Sequence, residues 1–410
     1  MKNNLVNSSR LFKKIYSESP GGVLAIRRPY NFVQNRYPIF FEEAKGSKVT
    51  DIDKNTYLDM MCGYGPIVIG HRNNFVDNRV IKHIKNKGNC LTLTQPTQYK
   101  LIKKLNQLYG TDKAIILKTG SDATSLAIRL ARSFTGKKII LRCGYHGWHD
   151  WCTNDENGVL KSVKKNTIEF KFNDLTHVED LIKKYKNKIA GLIIWPIHTP
   201  LGQRVTFPTA KYLSSLKTLC KNNNIVYIFD EIRSCFRVSM NGTQSIYKVK
   251  PDLNIIGKAM GNGYPISAVL GNKSIMDQAI SKVYVSSTFF ANSLDQIAAL
   301  STIKYLESNN VIKKNNIKGK YIKKKLEKIV KNQKFKCSYS GDIWFPFISF
   351  HEKNENVNKN LRNKFYEYLI EKKIFLAPYH HAYLMNDHSK NDIKKYIYEV
   401  EQSFKNLNKL

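Results

Sequence analysis

The chain has 410 residues, of which 42% are hydrophobic, and a formal net charge of +35. This composition excludes a disordered chain, and no apolar run approaches the roughly 20 residues of a membrane-spanning helix. No apolar segment follows the basic N-terminus, and the seven cysteines are scattered without a C-x-x-C pair. We therefore expect a cytoplasmic protein with reduced thiols, no signal peptide, no membrane partner and no metal site.

The positive charge is of a size often found in proteins that bind nucleic acids. Here, however, lysine and asparagine are abundant along the whole chain, as in Lys323-Lys324-Lys325, and no nucleic-acid-binding motif accompanies them. We expect no specific nucleic-acid partner. A basic nucleic-acid-binding protein on an inactive enzyme scaffold is the alternative from another functional class, and a positive field would in any case concentrate anionic metabolites.

The first part of the chain contains few regular elements. Residues 1 to about 55 are predicted to be an irregular lead-in that contains a β-hairpin starting at Phe40, and a helical pattern runs from about residue 73 to 88. From about residue 97 to 300, short β-branched runs alternate with helical segments, which predicts a mostly parallel sheet with helices on both faces. The strand candidates are Ala114–Leu117, Lys138–Arg142, Gly191–Trp195, Ile225–Phe229 and Ile266–Leu270.

The last part of the chain has a mixed pattern. A lysine-rich helical stretch, Ile303–Val330, is followed by a predicted strand, helix, strand and closing helix at Phe345–Phe350, Leu361–Glu371, Ile374–Leu376 and Asn391–Phe404. The predicted fold class is α/β. We expect a large domain at residues 71–300 and a smaller α+β domain built from the N-terminal segment 1–70 and the C-terminal segment 301–410.

Lys258 is the strongest candidate for a catalytic residue. It follows the mostly apolar run Leu253–Ile256 and precedes a loop that contains Gly261 and Gly263. A lysine at that place is held partly out of water, which disfavours its ammonium form and makes its amine a candidate nucleophile. The alternative is a solvated lysine at the end of a strand.

Three other polar groups follow predicted strands. Gly120 and Ser121 open a helix, where free backbone N–H groups and the helix dipole favour an anion such as a phosphate, although an N-cap would show the same pattern. Asp230 ends an apolar strand, where a carboxylate can meet a bound cation or merely cap a helix. Tyr145 offers a flat ring just past another strand.

The order of these motifs resembles a known family. Gly-Ser-Asp-Ala at 120–123, Tyr-His-Gly at 145–147, Asp-Glu at 230–231, Gly-Lys at 257–258 and Ser-Thr-Phe-Phe-Ala-Asn at 287–292 resemble the class III aminotransferases. The branch that contains glutamate-1-semialdehyde aminomutase is the most similar, and the likeness runs from about Pro20 to the C-terminus. It implies fold type I and pyridoxal 5'-phosphate as the cofactor.

The resemblance also implies a role for each matching residue. Lys258 would be the Schiff-base lysine and proton shuttle, and Asp230 would pair with the pyridinium nitrogen, which makes the ring an electron sink. Tyr145 and Ile232 would lie on the two ring faces, although Ile232 also suits a core position. Gly120 and Ser121 would hold the phosphate, with help from Thr288 (or Ser287 in its place) of the neighbouring subunit in a homodimer with shared active sites. Asp122 would be a further cofactor-binding residue.

The substrate residues depart from the aminomutase pattern. Arg28 matches a carboxylate-binding arginine, and a guanidinium suits a carboxylate or a phosphate, although a surface arginine is the alternative. His381, beside His380, stands where the aminomutase has a glutamate, and this change favours an anion over an amine. Trp148-His149-Asp150-Trp151 replaces the long gating loop of the mutase. These differences argue against mutase activity.

We therefore predict an aminotransferase that moves an amino group from an amino acid, by family default L-glutamate, to a small anionic carbonyl acceptor. Dihydroxyacetone phosphate, which would yield serinol phosphate, is the example, because Arg28, His380 and His381 are expected at the mouth of the pocket. The segment GYHGWHDW, residues 144–151, resembles the corresponding segment of class III enzymes of surface-polysaccharide and nucleotide-sugar pathways. Two alternatives use the same cofactor: decarboxylation of a small phosphorylated amino acid, and the aminomutase reaction.

Overall fold

The structure is a computed structural model that describes residues 3–23, 29, 32–155 and 157–409. Arg28, one of the predicted substrate residues, lies outside the described residues. Fourteen α-helices are found among the described residues: α1 (Val6–Glu18), α2 (Asn74–Lys87), α3 (Pro96–Tyr109), α4 (Gly120–Thr135), α5 (Lys161–Lys164), α6 (Leu175–Lys184), α7 (Ala210–Asn222), α8 (Thr243–Tyr247), α9 (Lys273–Met276), α10 (Gln278–Ser281), α11 (Ser293–Ser308), α12 (Val311–Lys331), α13 (Glu355–Glu371) and α14 (Lys390–Leu407).

The same part of the chain forms strands that belong to three sheets. These strands are β1 (Phe41–Lys45), β2 (Lys48–Asp51), β3 (Thr56–Asp59), β4 (Lys113–Leu117), β5 (Ile139–Cys143), β6 (Thr167–Glu169), β7 (Ile189–Ile194), β8 (Val226–Asp230), β9 (Leu253–Ile256), β10 (Ser267–Gly271), β11 (Cys337–Ser340), β12 (Phe347–Phe350) and β13 (Ile374–Phe375). Among the helices that the structure describes, none is long and apolar enough to cross a bilayer.

The chain forms two compact units. The first consists of residues 1–73, 199–205 and 313–410, and the second of residues 74–198 and 206–312. The first unit contains a four-stranded sheet in the order β1-β2-β3-β13 and the hairpin β11-β12. Its core packs α13 and α14 against these sheets through large side chains such as Phe365, Tyr396 and Phe404. The chain therefore returns to its N-terminal sheet after passing through the second unit.

The second unit is organised by a seven-stranded sheet in the order β4-β10-β9-β8-β7-β5-β6. The pairs β9-β8, β8-β7, β7-β5 and β5-β6 are parallel, and β10 is antiparallel to both of its neighbours, β9 and β4. Six strands therefore point the same way, which confirms the predicted mostly parallel α/β sheet. Central strands such as β7 are buried along their whole length, as expected when helices cover both faces.

Two apolar clusters fill the two faces of this sheet. On one face α4 packs through Leu126, Leu130 and neighbouring side chains. On the other face α6 and α7 pack through Leu181 and Leu216. Because six strands share one direction, the segments after β4, β5, β7, β8 and β9 all leave from the same edge of the sheet.

Several local predictions differ from the structure. The lead-in is not irregular, because α1 occupies Val6–Glu18; the N–H groups of its second and third residues, Asn7 and Ser8, donate to Asp53 at 2.7 and 2.8 Å. The lysine-rich stretch is not one helix. It is divided into α11 and α12, because Asn309 caps α11 and Asn310 has a φ of 51°, a left-handed conformation that asparagine tolerates. The hairpin is confirmed as β1 and β2.

Candidate active site

Lys258 lies directly beyond the carboxyl end of β9. It begins a single 3₁₀ turn, Lys258–Gly261, and its φ of 43° is unusual for a lysine. The backbone before it is held by Cys235, whose thiol donates to the carbonyl of Gly257 at 3.2 Å. Local strain of this kind is found where the surrounding structure fixes a functional residue. The lysine is therefore placed by the sheet and not by a flexible loop.

The Lys258 amine has an altered acidity. The side chain is partly buried, and this desolvation, together with the positive charge of Arg233, lowers its pKa to about 7, although Asp230 opposes the shift. At pH 7 about half of the amines are neutral, compared with roughly one in 3,000 for a lysine with a pKa of 10.5. Only the neutral amine is a nucleophile. The expectation that Lys258 is partly held out of water is thus met.

Asp230, the last residue of β8, is buried and receives three hydrogen bonds. The Nδ1–H of His146 donates to its Oδ2 at 2.8 Å, and the indole N–H of Trp195 donates to the same oxygen at 3.2 Å. The backbone N–H of Ile232 donates to Oδ1 at 3.1 Å. Donors that follow three strand ends therefore fix the position of the carboxylate. A fixed negative charge near the lysine suits a cationic ring nitrogen.

Glu231, the neighbour of Asp230, serves a different purpose. It is fully buried and accepts a hydrogen bond from the backbone N–H of Thr243 at 2.7 Å, as well as bonds from the hydroxyls of Thr243 and Ser234. Burial raises its pKa to about 7. Glu231 thus holds the 234–243 segment behind β8, and Asp230 alone is left to act as the carboxylate of the site.

The N-terminus of α4 is the predicted anion-binding position. Its N-cap is Thr119, and a capping box joins the side chains and backbones of Thr119 and Asp122. Ser121 is therefore not the cap, and its hydroxyl accepts from the backbone N–H of Trp148 at 3.4 Å. Because Asp122 belongs to the capping box, it contributes to this position by ordering the helix start. Its direct contact with the cofactor stays a prediction.

Glycines allow close approach around this position. Gly147 has a φ of 120°, and a Cβ there would lie 2.4 Å from the Ser121 hydroxyl. A Cβ on Gly120 would lie 3.4 Å from the side chain of Ile232. The Tyr145–Gly147 loop can therefore contact the start of α4 only because residue 147 lacks a side chain, and Ile232 lies within van der Waals reach of Gly120. The geometry fits a phosphate at the helix start and a ring close to Ile232.

An aromatic group lines the same edge of the sheet. The ring centroids of Tyr145 and Trp195 are 6.4 Å apart, and the guanidinium of Arg233 lies 4.3 Å from the centre of a Trp195 ring. Tyr145 is half exposed, and partial desolvation raises its pKa while Arg233 opposes the rise. Burial and the charge of Arg233 lower the pKa of His198 to about 4, so this imidazole is neutral at pH 7.

The structure therefore brings together Lys258, Asp230, Tyr145, Ile232 and the Gly120-Ser121 helix start in the second unit. These residues fit pyridoxal phosphate: a partly neutral amine, a buried carboxylate, a half-exposed ring and an anion position follow different strands at one edge. The Nε2 atom of His146 is buried with no hydrogen-bond partner among the described residues. The side-chain hydrogen bond of this imidazole is therefore the one to Asp230, the carboxylate expected to face the ring nitrogen.

Thr288 and the two predicted histidines lie elsewhere. Thr288 is in the exposed loop between α10 and α11, where its carbonyl accepts from the thiol of Cys90 at 3.8 Å. His380 and His381 belong to the first unit and are buried, and the rings of Tyr64 and Phe345 lie 5.4 Å from His380 and 5.2 Å from His381, respectively. The roles of these three residues stay predictions.

The segment after Gly147 packs on α4. The Oγ of Ser125 lies 2.7 Å from Nδ1 of His149 and accepts from the indole N–H of Trp151 at 2.9 Å. A cavity of about 710 Å³ lies beside these residues and is also lined by Trp148 and Tyr284. Over the described residues, no group of three or more His, Cys, Asp or Glu side chains could hold a metal ion.

Sequence reasoning missed three residues of this site. No role was predicted for His146 or Trp195, which both donate to Asp230, or for Arg233, which stacks on Trp195. A role for Trp195 could have been predicted, because this residue directly follows β7 at the same edge of the sheet at which Asp230 and Tyr145 were predicted. Arg233 has no such signal, because it lies in an irregular segment after β8.

Comparison with known families agrees with this geometry. The profile described as "Aminotransferase class-III" matches residues 30–341, about three quarters of the chain. The chain belongs to the class III aminotransferases. It is an enzyme of this family, and its cofactor is pyridoxal phosphate. The predicted family and cofactor are thereby confirmed.

Two relatives of this aminotransferase are similar over nearly its whole length. The 3-aminobutyryl-CoA aminotransferase of Cloacimonas acidaminovorans (strain Evry) is 42% identical over 410 residues, which cover 100% of this chain and 99% of the relative. The glutamate-1-semialdehyde 2,1-aminomutase of Francisella philomiragia subsp. philomiragia is 31% identical, with 98% of each chain covered. The likeness to the aminomutase branch noted from the motifs is therefore confirmed.

Solved structures identify the fold. The FumI protein of Sphingopyxis sp. MTA144 superposes with a TM-score of 0.93 at 24% identity and covers 98% of this chain and 96% of that chain. An omega-transaminase from Sphaerobacter thermophilus superposes with a TM-score of 0.88 at 20% identity, covering 98% and 97%. At these identities the likeness concerns the fold alone, and it confirms fold type I.

Proposed function

We propose that this aminotransferase moves an amino group from L-glutamate to a small carbonyl acceptor that carries a phosphate, with dihydroxyacetone phosphate as the specific candidate and serinol phosphate as its product. The observation that carries the proposal is the edge of the sheet at which Lys258, with a pKa of about 7, lies near both Asp230 and the cationic Arg233. Such an edge combines a nucleophilic amine with a positive charge for an anionic substrate.

Pyridoxal phosphate supplies an aldehyde that bonds to an amine and a ring that withdraws electrons from the carbon next to that amine. In this chain Lys258 would hold the cofactor through its neutral amine and would then, once released, move a proton to and from the substrate carbon. Asp230, oriented by His146 and Trp195, would keep the ring nitrogen protonated. The start of α4 would hold the phosphate group.

Two side chains would hold the ring between them. Ile232, which contacts Gly120, would lie against one face, and the half-exposed Tyr145 would cover the other. Packing on both faces would fix the plane of the ring, and the substrate bond that the pocket sets perpendicular to this plane decides between amino transfer and decarboxylation. A pocket that sets the C–H bond perpendicular to the ring gives amino transfer, which is the reaction we propose.

An anionic acceptor is favoured by the electrostatics of the chain. The net charge of +35 creates a field that concentrates anions, and Arg233 places one positive charge next to Lys258. The predicted substrate residues Arg28, His380 and His381 remain part of the proposal. Its pathway, surface-polysaccharide synthesis, rests on the likeness of the GYHGWHDW segment to enzymes of such pathways.

A second candidate function is favoured by the 42% identical relative. Its name, 3-aminobutyryl-CoA aminotransferase, indicates a substrate whose amine is on the third carbon of an acyl-coenzyme A. Coenzyme A also carries phosphates, so the positive charge of this chain suits that acceptor as well. The aminomutase reaction is a further alternative because several relatives, at 30 to 32% identity, bear that name.

The test has two stages. The absorbance of the purified holoenzyme is first recorded before and after L-glutamate is added without an acceptor, with Lys258→Ala as the control. We expect the band of the lysine-bound cofactor to be replaced by that of its aminated form in the wild-type protein only. An unchanged band would show that L-glutamate is not the donor, and amino acid decarboxylation would be tested next.

The second stage is a panel of acceptors offered to the aminated enzyme. The panel contains dihydroxyacetone phosphate, acetoacetyl-coenzyme A, glutamate-1-semialdehyde and a neutral ketone of similar size. We expect dihydroxyacetone phosphate to restore the original band fastest. Faster reaction with acetoacetyl-coenzyme A would select the second candidate, and faster reaction with the neutral ketone than with either phosphate-bearing acceptor would refute an anionic substrate.

We also propose a cytoplasmic homodimer with shared active sites. Large apolar side chains are exposed near Thr288, including Tyr284 at 83% and Phe289 at 60%, and a partner subunit would cover them. The free cysteines of the chain suit a reducing compartment.

Mixing inactive Lys258→Ala with inactive Thr288→Ala would restore activity if subunits exchange and sites are shared, because hybrid dimers would contain one intact site. No recovery in proven hybrids would refute the sharing.

A further inference from the structure

The imidazole of His146 orients the carboxylate of Asp230, but hydrogen bonding fixes this ring at one atom only. The His146 side chain is fully buried, and its Nδ1–H donates to Asp230 at 2.8 Å. Its other nitrogen, Nε2, has no hydrogen-bond partner among the described residues. One hydrogen bond fixes the position of one ring atom and leaves the tilt of the ring plane open. The orientation of His146 therefore depends on the groups that pack against the ring.

Two indole rings pack against this imidazole. The ring of Trp151 is nearly parallel to it, with planes 11° apart and ring centroids 6.2 Å apart, which is within the range of offset stacking. The ring of Trp195 meets the imidazole edge to face, at 70° and a centroid distance of 6.1 Å. Trp195 also donates to Asp230, whereas the indole N–H of Trp151 is directed to α4. Trp151 can thus act on the carboxylate through His146.

The orientation of Trp151 is set by α4. Its indole N–H donates to Oγ of Ser125 at 2.9 Å, and its side chain is buried in the apolar cluster that contains Leu126. The same Oγ lies 2.7 Å from Nδ1 of His149. A hydroxyl that accepts from Trp151 keeps its own hydrogen for that nitrogen, so Ser125 satisfies both partners at once. Ser125 therefore fixes the indole in one orientation.

The neighbouring residue of α4 fixes the backbone of His146. The hydroxyl of Thr124 donates to the His146 carbonyl at 2.6 Å. Consecutive residues of one helix thus hold the backbone of His146 and the indole that stacks on its ring. Because Gly120 and Ser121 open this helix, the element that is predicted to hold the phosphate also positions the imidazole that binds Asp230.

We infer that Trp151 is a positioning residue of this aminotransferase: fixed by Ser125, it holds His146 in the orientation that places Asp230. The inference rests on the part of the proposed function that pairs Asp230 with the ring nitrogen of the cofactor, and it deepens that part. It gives a role to the end of the GYHGWHDW segment that requires no contact between Trp151 and the cofactor or the substrate.

Two variants remove this support in different ways. Trp151→Phe keeps an aromatic ring and removes the hydrogen bond to Ser125, whereas Ser125→Ala removes the same bond with little change in volume. The matched control is Ser133→Ala, because Ser133 is also a partly buried serine of α4 and its hydroxyl donates to the side chain of Gln278 at 3.1 Å. If Trp151→Phe fails to fold, Ser125→Ala decides alone.

The first measurement uses the apoprotein and needs no activity. Nuclear magnetic resonance of protein labelled with ¹⁵N-histidine gives the rate at which the Nδ1–H of His146 exchanges with water, and His146→Leu identifies the signal by its loss. A proton in a fixed, buried hydrogen bond exchanges slowly. We expect exchange at least about 10-fold faster in Trp151→Phe and Ser125→Ala, and within about two-fold of wild type in Ser133→Ala. Unchanged exchange in the two folded variants would overturn the inference.

The second measurement uses the holoenzyme and shows whether the orientation of His146 reaches the cofactor. The rate of the absorbance change at saturating L-glutamate should fall about 3- to 10-fold in both variants, as expected for the loss of one hydrogen bond, while the half-saturating concentration stays within about two-fold. The pH midpoint of the lysine-bound cofactor band should rise by at least about 0.3, because a displaced Asp230 leaves the ring nitrogen less positive. Ser133→Ala should change neither quantity. Faster exchange without these changes would also overturn the inference.

Failure of this inference differs from failure of the proposed function. Full turnover by Asp230→Asn would overturn the pairing of Asp230 with the ring nitrogen, on which the inference rests. An inactive Asp230→Asn, together with Ser125→Ala and Trp151→Phe proteins that match wild type in every measurement, would leave the proposed function standing and refute the role of Trp151 alone. If L-glutamate is not the donor, the exchange rate and the pH midpoint still decide the inference.

Discussion

Replacing Lys258 by methionine is expected to stabilise the protein when the cofactor is removed. The amine lies in a place where desolvation and Arg233 disfavour its charged form. Methionine fills a similar space without a charge. The residue that is required for catalysis should therefore be a source of instability in the apoprotein, as is common for residues selected for function.

The size of this effect follows from the pKa of the amine in the two states. The folded-state pKa is about 7 and the ordinary value is 10.5, a difference of 3.5 units that corresponds to about 5 kcal/mol at 1.36 kcal/mol per unit. Since Lys258 keeps some solvent exposure, we expect a gain of about 2–5 kcal/mol for Lys258→Met at pH 6. Below pH 7 both states hold the proton and the penalty is complete.

The sign of the pH dependence is also determined. Between pH 7 and 10.5 only the unfolded chain holds this proton, so the wild-type protein gains stability as the pH rises. The advantage of Lys258→Met should therefore shrink by up to about 1.4 kcal/mol per pH unit above pH 7. For a folded-state pKa of about 7, less than half of the advantage at pH 6 should remain at pH 9.

The assay is urea unfolding of the two apoproteins at pH 6, 7, 8 and 9. Comparing them at each pH cancels the other titrating groups. Lys100→Met, at an exposed position of α3, is the control for the loss of one lysine, and its effect should change by less than about 0.5 kcal/mol over this range. A Lys258→Met apoprotein that is less stable than wild type at pH 6, or a difference that does not shrink with pH, would refute the reasoning.

Four further substitutions test individual contacts. Asp230→Asn should lower kcat by about 100-fold or more while cofactor remains bound, because the charge that serves the ring nitrogen is lost; turnover and absorbance measure this. His146→Leu removes the 2.8 Å hydrogen bond to Asp230, worth about 1.5–3 kcal/mol, and should lower turnover about 10- to 100-fold. Gly147→Ala places a Cβ 2.4 Å from the Ser121 hydroxyl and should raise the Kd for the cofactor at least about 10-fold in a titration of the apoprotein. Thr119→Ala removes the cap of α4 and should destabilise the protein by about 1 kcal/mol in urea unfolding.

Each of these substitutions has a result that would contradict the account. Full turnover by Asp230→Asn would exclude the carboxylate as the partner of the ring nitrogen. Unchanged activity of His146→Leu would mean that Trp195 and the backbone hold Asp230 without help. Unchanged cofactor affinity of Gly147→Ala would place the phosphate away from Ser121, and an unaltered unfolding midpoint of Thr119→Ala would remove the capping argument.

The grouping of the candidate cofactor residues could be predicted from sequence because these residues follow a simple physical rule. Asp230 and Lys258 come directly after apolar strands, and parallel strands bring such positions to one edge. The ordered motifs then assigned a role to each position. No distance was needed, since the fold itself places the carboxyl ends of β8 and β9 side by side.

Features that depend on distant partners could not be predicted in this way. The helix α1 buries only Ser8 among its side chains and has no side-chain cap of its own; its start is fixed by Asp53, which comes some 45 positions later in the chain. The strand β6 has only three residues, none of them fully buried, at the edge of the sheet. Local patterns carry no signal for either element.

The side chains that surround Asp230 show the same limit. The hydrogen bonds from His146 and Trp195 join residues 84 and 35 positions away from Asp230. The stacking of Arg233 on Trp195 likewise depends on how β7 and β8 pair. Residue type and spacing identify the groups that do chemistry, whereas the groups that orient them are visible only in three dimensions.

The central claim is that Lys258 is the amine that bonds to the cofactor. Sodium borohydride reduces the double bond between a lysine and bound pyridoxal phosphate, and peptide mass spectrometry after digestion then locates the label. We predict a single labelled peptide that contains Lys258, with no label in the Lys258→Ala protein. A label on another lysine, or equal labelling of the Lys258→Ala protein, would contradict the account.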